Sequence, residues 1–388
     1  MLNDSEILFI EENLLIDPFQ LALKKKKIDS VDFQKVVHQI HARQKLKDKL
    51  PTWVAQPSLF FPANISLEQS SSEQTSQFKA CLISGRIIDI TGGMGVDAWA
   101  FAKAGNQVDY VEKQEDLVKI SQYNHQILLP NQIKHHHTDG ISYLHKHYED
   151  FDYVYLDPAR RNVHGDKVLL FKDCQPNVME ILPFIDKGLN LLIKTSPLLD
   201  IDRAVNELNG VDEVYVVALK GEVKELLFKK TKNASEHALI HVIELSRENP
   251  FIFSQTRAFE KEQMTTFSQA KRYLYEAHPG LMKAGFFKSI CQLGVEKISQ
   301  HTHLYTSDQI IENFPGKIFQ VLTAGTADTK WINDYIPEKR GNIITRNFPQ
   351  SSVELRKKWK LGDGGDKSIL AYQNFAGKNE VAICRKVQ

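Results

Sequence analysis

A chain of 388 residues exceeds what one small core absorbs and holds enough sequence for two or three domains. Its 42% apolar and 25% charged residues exclude a fibrous or wholly disordered protein. With 49 Lys plus Arg against 48 Asp plus Glu, the net charge of +1 excludes attraction to anions through overall charge, so any electrostatic footprint has to be local.

The opening MLNDSEILFIEENLLID is acidic, with no basic segment ahead of an apolar one, and no run reaches the ~18 apolar residues of a membrane span. Residues 1–80 read as an N-terminal helical region. DFQKVVHQIHARQKL puts Phe33, Val36, Val37, Ile40 and Leu46 near one face, and the cationic run Lys24 to Lys27 reads as a solvated helix end. Beyond a proline-marked loop, SLEQSSSEQTSQFKACLI is a helix rich in Ser and Gln. Its hydroxyls, Ser72 and Thr75 among them, suit a ligand carboxylate or a helix cap equally well.

Over 81–232 strands and helices alternate, with strands expected at 86–90, 107–112, 132–138, 152–156, 190–194, 212–219 and 224–230. The pattern predicts an α/β fold, a Rossmann-like sheet of seven strands, six of them parallel. LKGEVK leaves room only for a hairpin, so the seventh strand runs antiparallel. Residues 233–388 read as an α+β domain: helical stretches around FSQAKRYLYEAH and GLMKAGFFKSICQLGVEKI, a strand at GKIFQVLTA, a basic helix at SSVELRKKWKLG and a hairpin around Gly377-Lys378-Asn379. Ser351 and Glu354 form a capping box for the basic helix, and Gly362 can end it. From Lys339 to Gln388 there are eleven Lys or Arg against four acids. Arg356, Lys357 and Lys358 beside Trp359 suit a phosphate backbone and an unstacked base, unless Trp359 is buried in its own domain. Cys81, Cys174, Cys291 and Cys384 stand singly without metal-ligand spacing, as expected of reduced thiols in a cytoplasm, and no metal is expected. His135 to His137 alternate faces of a strand and cannot form one metal site by themselves.

IIDITGGMGVDAWAFAKAG is a strand, a glycine turn and a helix, a nucleotide site at the carboxyl edge of a sheet. A pyrophosphate would meet Asp89 at the strand end and Asp97 in the first helical turn, and both repel it. S-adenosylmethionine carries an ammonium and a sulfonium and no phosphate, so the same acids favour it. Asp89 is placed to accept from the ammonium, and Gly92, Gly93 and Gly95 let backbone approach the ligand; Asp97 serves the ligand or the helix N-terminus. Glu112, 23 residues on, ends the next strand where a ribose diol is held. Asp139 follows strand three, where an adenine amino group would lie.

FDYVYLDPARRN ends its strand on Asp157 and Pro158 beside the position of the donor methyl. Asp157 can accept from a planar amine and orient its lone pair, Pro158 fixes the turn, and Arg160 and Arg161 suit phosphate or a base.

DITGGMGVD, VEK, TDG and YLDPAR resemble successive motifs of class I S-adenosylmethionine-dependent methyltransferases, over about residues 68–232. YLDPAR is similar to the (D/N)PP(Y/F/W) box of enzymes that methylate exocyclic amines of bases, and DITGGMGVDAWAFAKAG with DYVYLDP resembles small-subunit ribosomal RNA guanine-N2 methyltransferases. The layout with LRKKWKLGDGG resembles bacterial methyltransferases that carry a THUMP-like domain. The resemblance implies donor contacts at Asp89, Thr91, Gly92, Gly93, Gly95, Asp97, Glu112, Lys113, Asp139 and Gly140, with Ser72 and Thr75. It implies catalysis at Asp157, Pro158 and Arg160, and substrate contacts at Arg161, Lys194 and the basic helix. Arg160 stands where adenine amino methyltransferases have an aromatic. IKTSPLLD has Thr195 and Ser196 where uracil carbon methyltransferases need a cysteine, so a nitrogen target in guanine fits best, within structured RNA (rRNA or tRNA). A methyltransferase for a small molecule or protein and a non-catalytic nucleic-acid-binding module are the alternatives.

Overall fold

All seven expected strands form within two residues of their expected bounds: β1 (Arg86–Asp89), β2 (Gln107–Glu112), β3 (Ile133–His137), β4 (Tyr153–Leu156), β5 (Asn190–Thr195), β6 (Glu213–Leu219) and β7 (Glu222–Lys230). This is a computed structural model that describes residues 1–23, 30–62, 70–159, 170–235, 237–246 and 250–388. Lys24 to Lys27, Arg160 and Arg161 lie outside the described residues.

Strands β3, β2, β1, β4 and β5 lie side by side and parallel, and β7 joins β5 antiparallel. The expectation of a seven-stranded sheet needs correction, because the sheet has nine strands in the order β3-β2-β1-β4-β5-β7-β6-β8-β9. The edge of β6 is taken by β8 (Leu239–Glu244), parallel to it, and β9 (Phe251–Thr256) pairs antiparallel with β8. Unpaired backbone along β6 is a template for a further strand, and the apolar run of LIHVIE fills it.

Two compact units divide the chain, Met1–Asp212 with Leu226–Glu236 and Glu213–Glu225 with His237–Gln388. The first holds helices α1 (Asp4–Asn13), α2 (Pro18–Leu23), α3 (Phe33–Leu46), α4 (Pro51–Val54), α5 (Glu73–Ala80), α6 (Val96–Lys103), α7 (Glu115–Leu128), α8 (Gly140–His147), α9 (Leu182–Ile185) and α10 (Ile201–Glu207). Val36 and Ile40 of α3 pack with Ile10 and Leu21, the face that the periodicity expects. Buried Arg43 donates to the carbonyls of Val54, Gln56, Pro57 and Leu59, and Asn124 of α7 holds both backbone groups of Phe60. The N-terminal helices are thereby fastened to the unit that carries the glycine loop.

The second unit adds helices α11 (Arg257–Glu262), α12 (Pro279–Ala284), α13 (Thr329–Tyr335) and α14 (Ser352–Trp359). It also adds strands β10 (Tyr273–Ala277), β11 (Glu296–Lys297), β12 (Leu304–Ser307), β13 (Gly316–Thr326), β14 (Asn342–Arg346), β15 (Lys367–Gln373) and β16 (Asn379–Lys386). They form a second sheet, ordered β11-β12-β10-β13-β16-β15-β14. Its side chains alternate as a pleat requires: Ile369 and Ala371 of β15 face Ile332, Leu355 and Trp359, while Leu370 and Tyr372 face Leu274, Ile298 and Leu304. The expected helix around KRYLYEAH is in fact β10, whose Leu274 and Tyr275 are fully buried between β12 and β13. Apolar residues at three- and four-residue intervals misled there, because strand partners on both sides outweigh helix propensity.

Candidate active site

The carboxyl ends of β1 and β4 meet at one hydroxyl. Thr91 Oγ1 accepts from the Asp157 backbone N–H at 2.8 Å, and the Thr91 N–H donates to Asp89 Oδ1 at 3.0 Å. Asp89, Thr91, Gly92, Gly93, Gly95, Asp97, Asp157 and Lys194 line a single pocket, completed by Ser70, Ser71, Met94, Val96 and Tyr155.

Asp89 is 1% exposed. Burial, reinforced by the charges of Asp97, Asp157 and Glu112, lifts its carboxyl to about 8, against the lowering pull of the Thr91 N–H. A buried acid among other acids is a site in want of a cation. Asp97 is the opposite case. Burial opposes its charge, yet Lys79 and Lys194 together with the hydroxyls of Tyr155 and Ser71 hold its pKa below the usual carboxylate value. Lys79, fully buried, lies 3.2 Å from Asp97, Ser71 donates at 2.8 Å and Tyr155 at 2.7 Å. Asp97 is thus taken up by the protein, and the loop's uncompensated acidity comes from Asp89 and Glu112.

Each glycine of the loop has its own reason. A Cβ on Gly92 would fall 2.2 Å from the Tyr110 ring, and one on Gly95 (φ +81°) would fall 2.3 Å from Ser121 Oγ. These two are glycine because the chain packs against itself. Gly93 has open space and a left-handed φ of +53°, which leaves its face to a ligand. Its N–H donates to Glu112 Oε2 at 3.1 Å while Gln114 N–H donates to Oε1 at 2.9 Å, so the Glu112 carboxylate is fixed at the tip of β2.

Other expected donor contacts have partners within the protein. Ser72 and Thr75 form the reciprocal capping box of α5, and the adjacent Ser70 and Ser71 line the pocket instead. Asp139 caps α8 through Ser142 N–H and pairs with Lys113 Nζ at 2.5 Å. A Cβ on Gly140 would strike the Ile90 carbonyl at 2.5 Å. Of the histidines, His135 meets His125 Nδ1 at 2.9 Å, His136 pairs with Asp109 at 2.7 Å and His137 meets the Lys113 carbonyl at 3.0 Å.

At the tip of β4, Asp157 Oδ2 lies 2.5 Å from Nζ of Lys194, the penultimate residue of β5. Pro158 is buried, and Ala159 bridges to Gln175 through both backbone groups. Ser70 and Ser71 belong to the serine run whose hydroxyls the sequence offers to a ligand, whereas Tyr155 and Lys79 carry no such signal, because it is only three-dimensional: with Ser71 they reach Asp97 from separate stretches of chain.

In the second unit Trp359 is fully buried beside Leu355, Ile332 and Ile336, so it cannot stack on a base. Its large apolar ring is worth more in the core than on the surface. Arg356 is turned to Asp363 at 2.5 Å, whereas Lys357, Lys358 and Lys360 are exposed. The helix ends at Lys360 in a left-handed conformation, two residues before the expected Gly362.

A family profile described as a ferredoxin-like domain matches residues 273–315, and one described as THUMP domain-like matches residues 316–386. A crystal structure of a Porphyromonas gingivalis W83 protein assigned as a methyltransferase is 31% identical, covers 100% of both chains and superposes with a TM-score of 0.85. An uncharacterized RNA methyltransferase of Mycoplasma mobile is 26% identical over 117 residues. That match spans 30% of this chain and 32% of the length of that relative.

Proposed function

Because the chain belongs to the class I methyltransferases that carry a C-terminal THUMP-like domain, we propose that it transfers a methyl group from S-adenosylmethionine to a ring or exocyclic nitrogen of a base in structured RNA. The observation that carries the reading is the juxtaposition of two carboxylates with different tasks across Thr91, Asp89 buried in the donor pocket and Asp157 at its open side.

The pocket fits the donor and disfavours a dinucleotide, since Glu112, and Asp89 once an ammonium draws off its proton, reward an ammonium and ribose hydroxyls, whereas a phosphate gains nothing from either. When bound, the donor supplies an electrophilic methyl on sulfur. Asp89 pairs with its ammonium, Gly93 leaves room for it by having no side chain and Glu112 accepts from the ribose. Asp157 accepts an N–H of the target amine, which turns the nitrogen lone pair toward the methyl. The amine proton then leaves past Asp157 to water. Most of the acceleration is positioning of two bound reactants. RNA as substrate draws on the Mycoplasma relative's name, on the THUMP-like match and on the exposed lysines of the C-terminal unit, which suit phosphates.

Transfer from tritiated donor to RNA, protein and small-molecule fractions of a deletion strain tests this. We expect label in RNA, recovered as a methylated nucleoside, and none with Asp157→Ala, whose affinity for S-adenosylhomocysteine stays within about threefold of wild type. Label confined to protein or small molecules would sink the RNA substrate. Parallel loss of donor binding in Asp157→Ala would sink the division of roles between the two acids.

A further inference from the structure

Lys194 stands where a substrate must arrive. Its side chain is 10% exposed, its Nζ touches Asp157 Oδ2 at 2.5 Å, and it lines the same pocket, while the Asp157 side chain is 38% exposed. Any group that reaches Asp157 therefore meets an ammonium beside the carboxylate. A phosphate gains from Lys194 but is repelled by Asp157. An aliphatic amine, or a Lys or Arg side chain, gains from Asp157 but is repelled by Lys194. What satisfies both at once is an N–H donor with an acceptor two bonds away, the arrangement on the edge of a nucleobase or on a carboxamide, and the ring face decides between them.

A second observation concerns the face of that ring. Leu198, three residues beyond the end of β5, is 71% exposed, while its neighbour Leu199 is buried. The turn holds this orientation, with Leu198 N–H on Ser196 Oγ at 3.3 Å and Leu199 N–H on the Ser196 carbonyl at 3.2 Å. Four residues of chain keep Leu198 within about 14 Å of Lys194. An apolar side chain held out to solvent beside a polar site is suited to lie against an unstacked base.

We infer that the tip of β5 reads a planar heterocycle, with Lys194 donating to the ring acceptor next to the amine that Asp157 holds and Leu198 covering the ring face. This rests on the methyl-transfer reading above and names the residues that read the base. Lys194 and Leu198 are specificity residues on the substrate side of the pocket.

The test compares Lys194→Met, Lys194→Arg and Leu198→Ala with wild type. The probes are tritiated transfer to total RNA of the deletion strain and calorimetric binding of S-adenosylhomocysteine. We expect Lys194→Met to lose about 100-fold or more in kcat/KM with donor affinity within about threefold, and Lys194→Arg to regain at least about a tenth of the rate. Leu198→Ala should raise KM about five- to tenfold at nearly constant kcat. The salt slope of RNA binding should not change in Lys194→Met, whereas a phosphate ligand would flatten it. Wild-type label in RNA with unimpaired Lys194→Met, or donor binding lost together with transfer, would overturn this inference alone. Wild-type label in protein and none in RNA would overturn it together with the proposed function.

Discussion

Asp89 makes donor binding a proton-release reaction. Its carboxyl is raised to about 8 by burial first, then by Asp97, Asp157 and Glu112. The donor's ammonium pairs with the ionised form, of which there is about one molecule in a hundred at pH 6 and about one in two at pH 8. Affinity should therefore rise about fifty-fold between pH 6 and pH 8, roughly 2.3 kcal/mol, and level off above that range as far as Asp89 is concerned. The stability linkage has the matching sign. A carboxyl raised from 3.8 to about 8 on folding contributes stability that is full below 3.8 and is lost as pH climbs to about 8, so the ligand-induced thermal shift should widen over pH 6–8. Calorimetry of S-adenosylhomocysteine at pH 6.5, in two buffers of different ionisation enthalpy, should report release of about one proton per ligand. Equal enthalpies in the two buffers with a pH-independent Kd would refute the reasoning, and with it the assignment of Asp89 to the ammonium.

Three further outcomes follow from the same geometry. Lys79→Met leaves Asp97 charged and buried without its nearest cation, so urea unfolding should show a loss of about 3–5 kcal/mol, partly recovered by adding Asp97→Asn. Gly95→Ala combines a φ of +81° with a 2.3 Å collision and should cost about 2 kcal/mol or more, whereas Gly93→Ala, with nothing nearer than 3.7 Å, should cost about 1 kcal/mol; chemical denaturation of both variants checks the ranking. Lys357→Ala with Lys358→Ala should lower the magnitude of the log–log salt slope of RNA binding by about 1–2 and leave folding intact, while Trp359→Ala should destabilise its unit by about 3–5 kcal/mol, as seen in its melting transition.

Most of the seven expected strands were legible as short apolar runs, β3 (IKHHH) only by its place in the strand–helix alternation, and the nucleotide edge was legible because a glycine turn there joins a strand to a helix. The eighth and ninth strands were not, since nothing in LIHVIE or FIFSQT specifies which open edge will receive them. Asp89 and Asp157 could be picked out by their places at strand ends. The partners that decide their chemistry could not. Lys194 was named as a substrate contact but not as the partner of Asp157, 37 residues away, and Lys79 reaches Asp97 from a helix read only for its hydroxyls. The acidity that argued for a cationic ligand was therefore overcounted by one carboxylate in the sequence. It survives in the fold because burial leaves Asp89 without such a remedy, and that is why the same conclusion about the ligand stands on a different residue balance. Trp359 fails for a related reason. An aromatic among cations has one appearance in sequence whether it stacks on a base or seals a core, and only the faces of β15 decide it, by turning Ile369 and Ala371 toward α14.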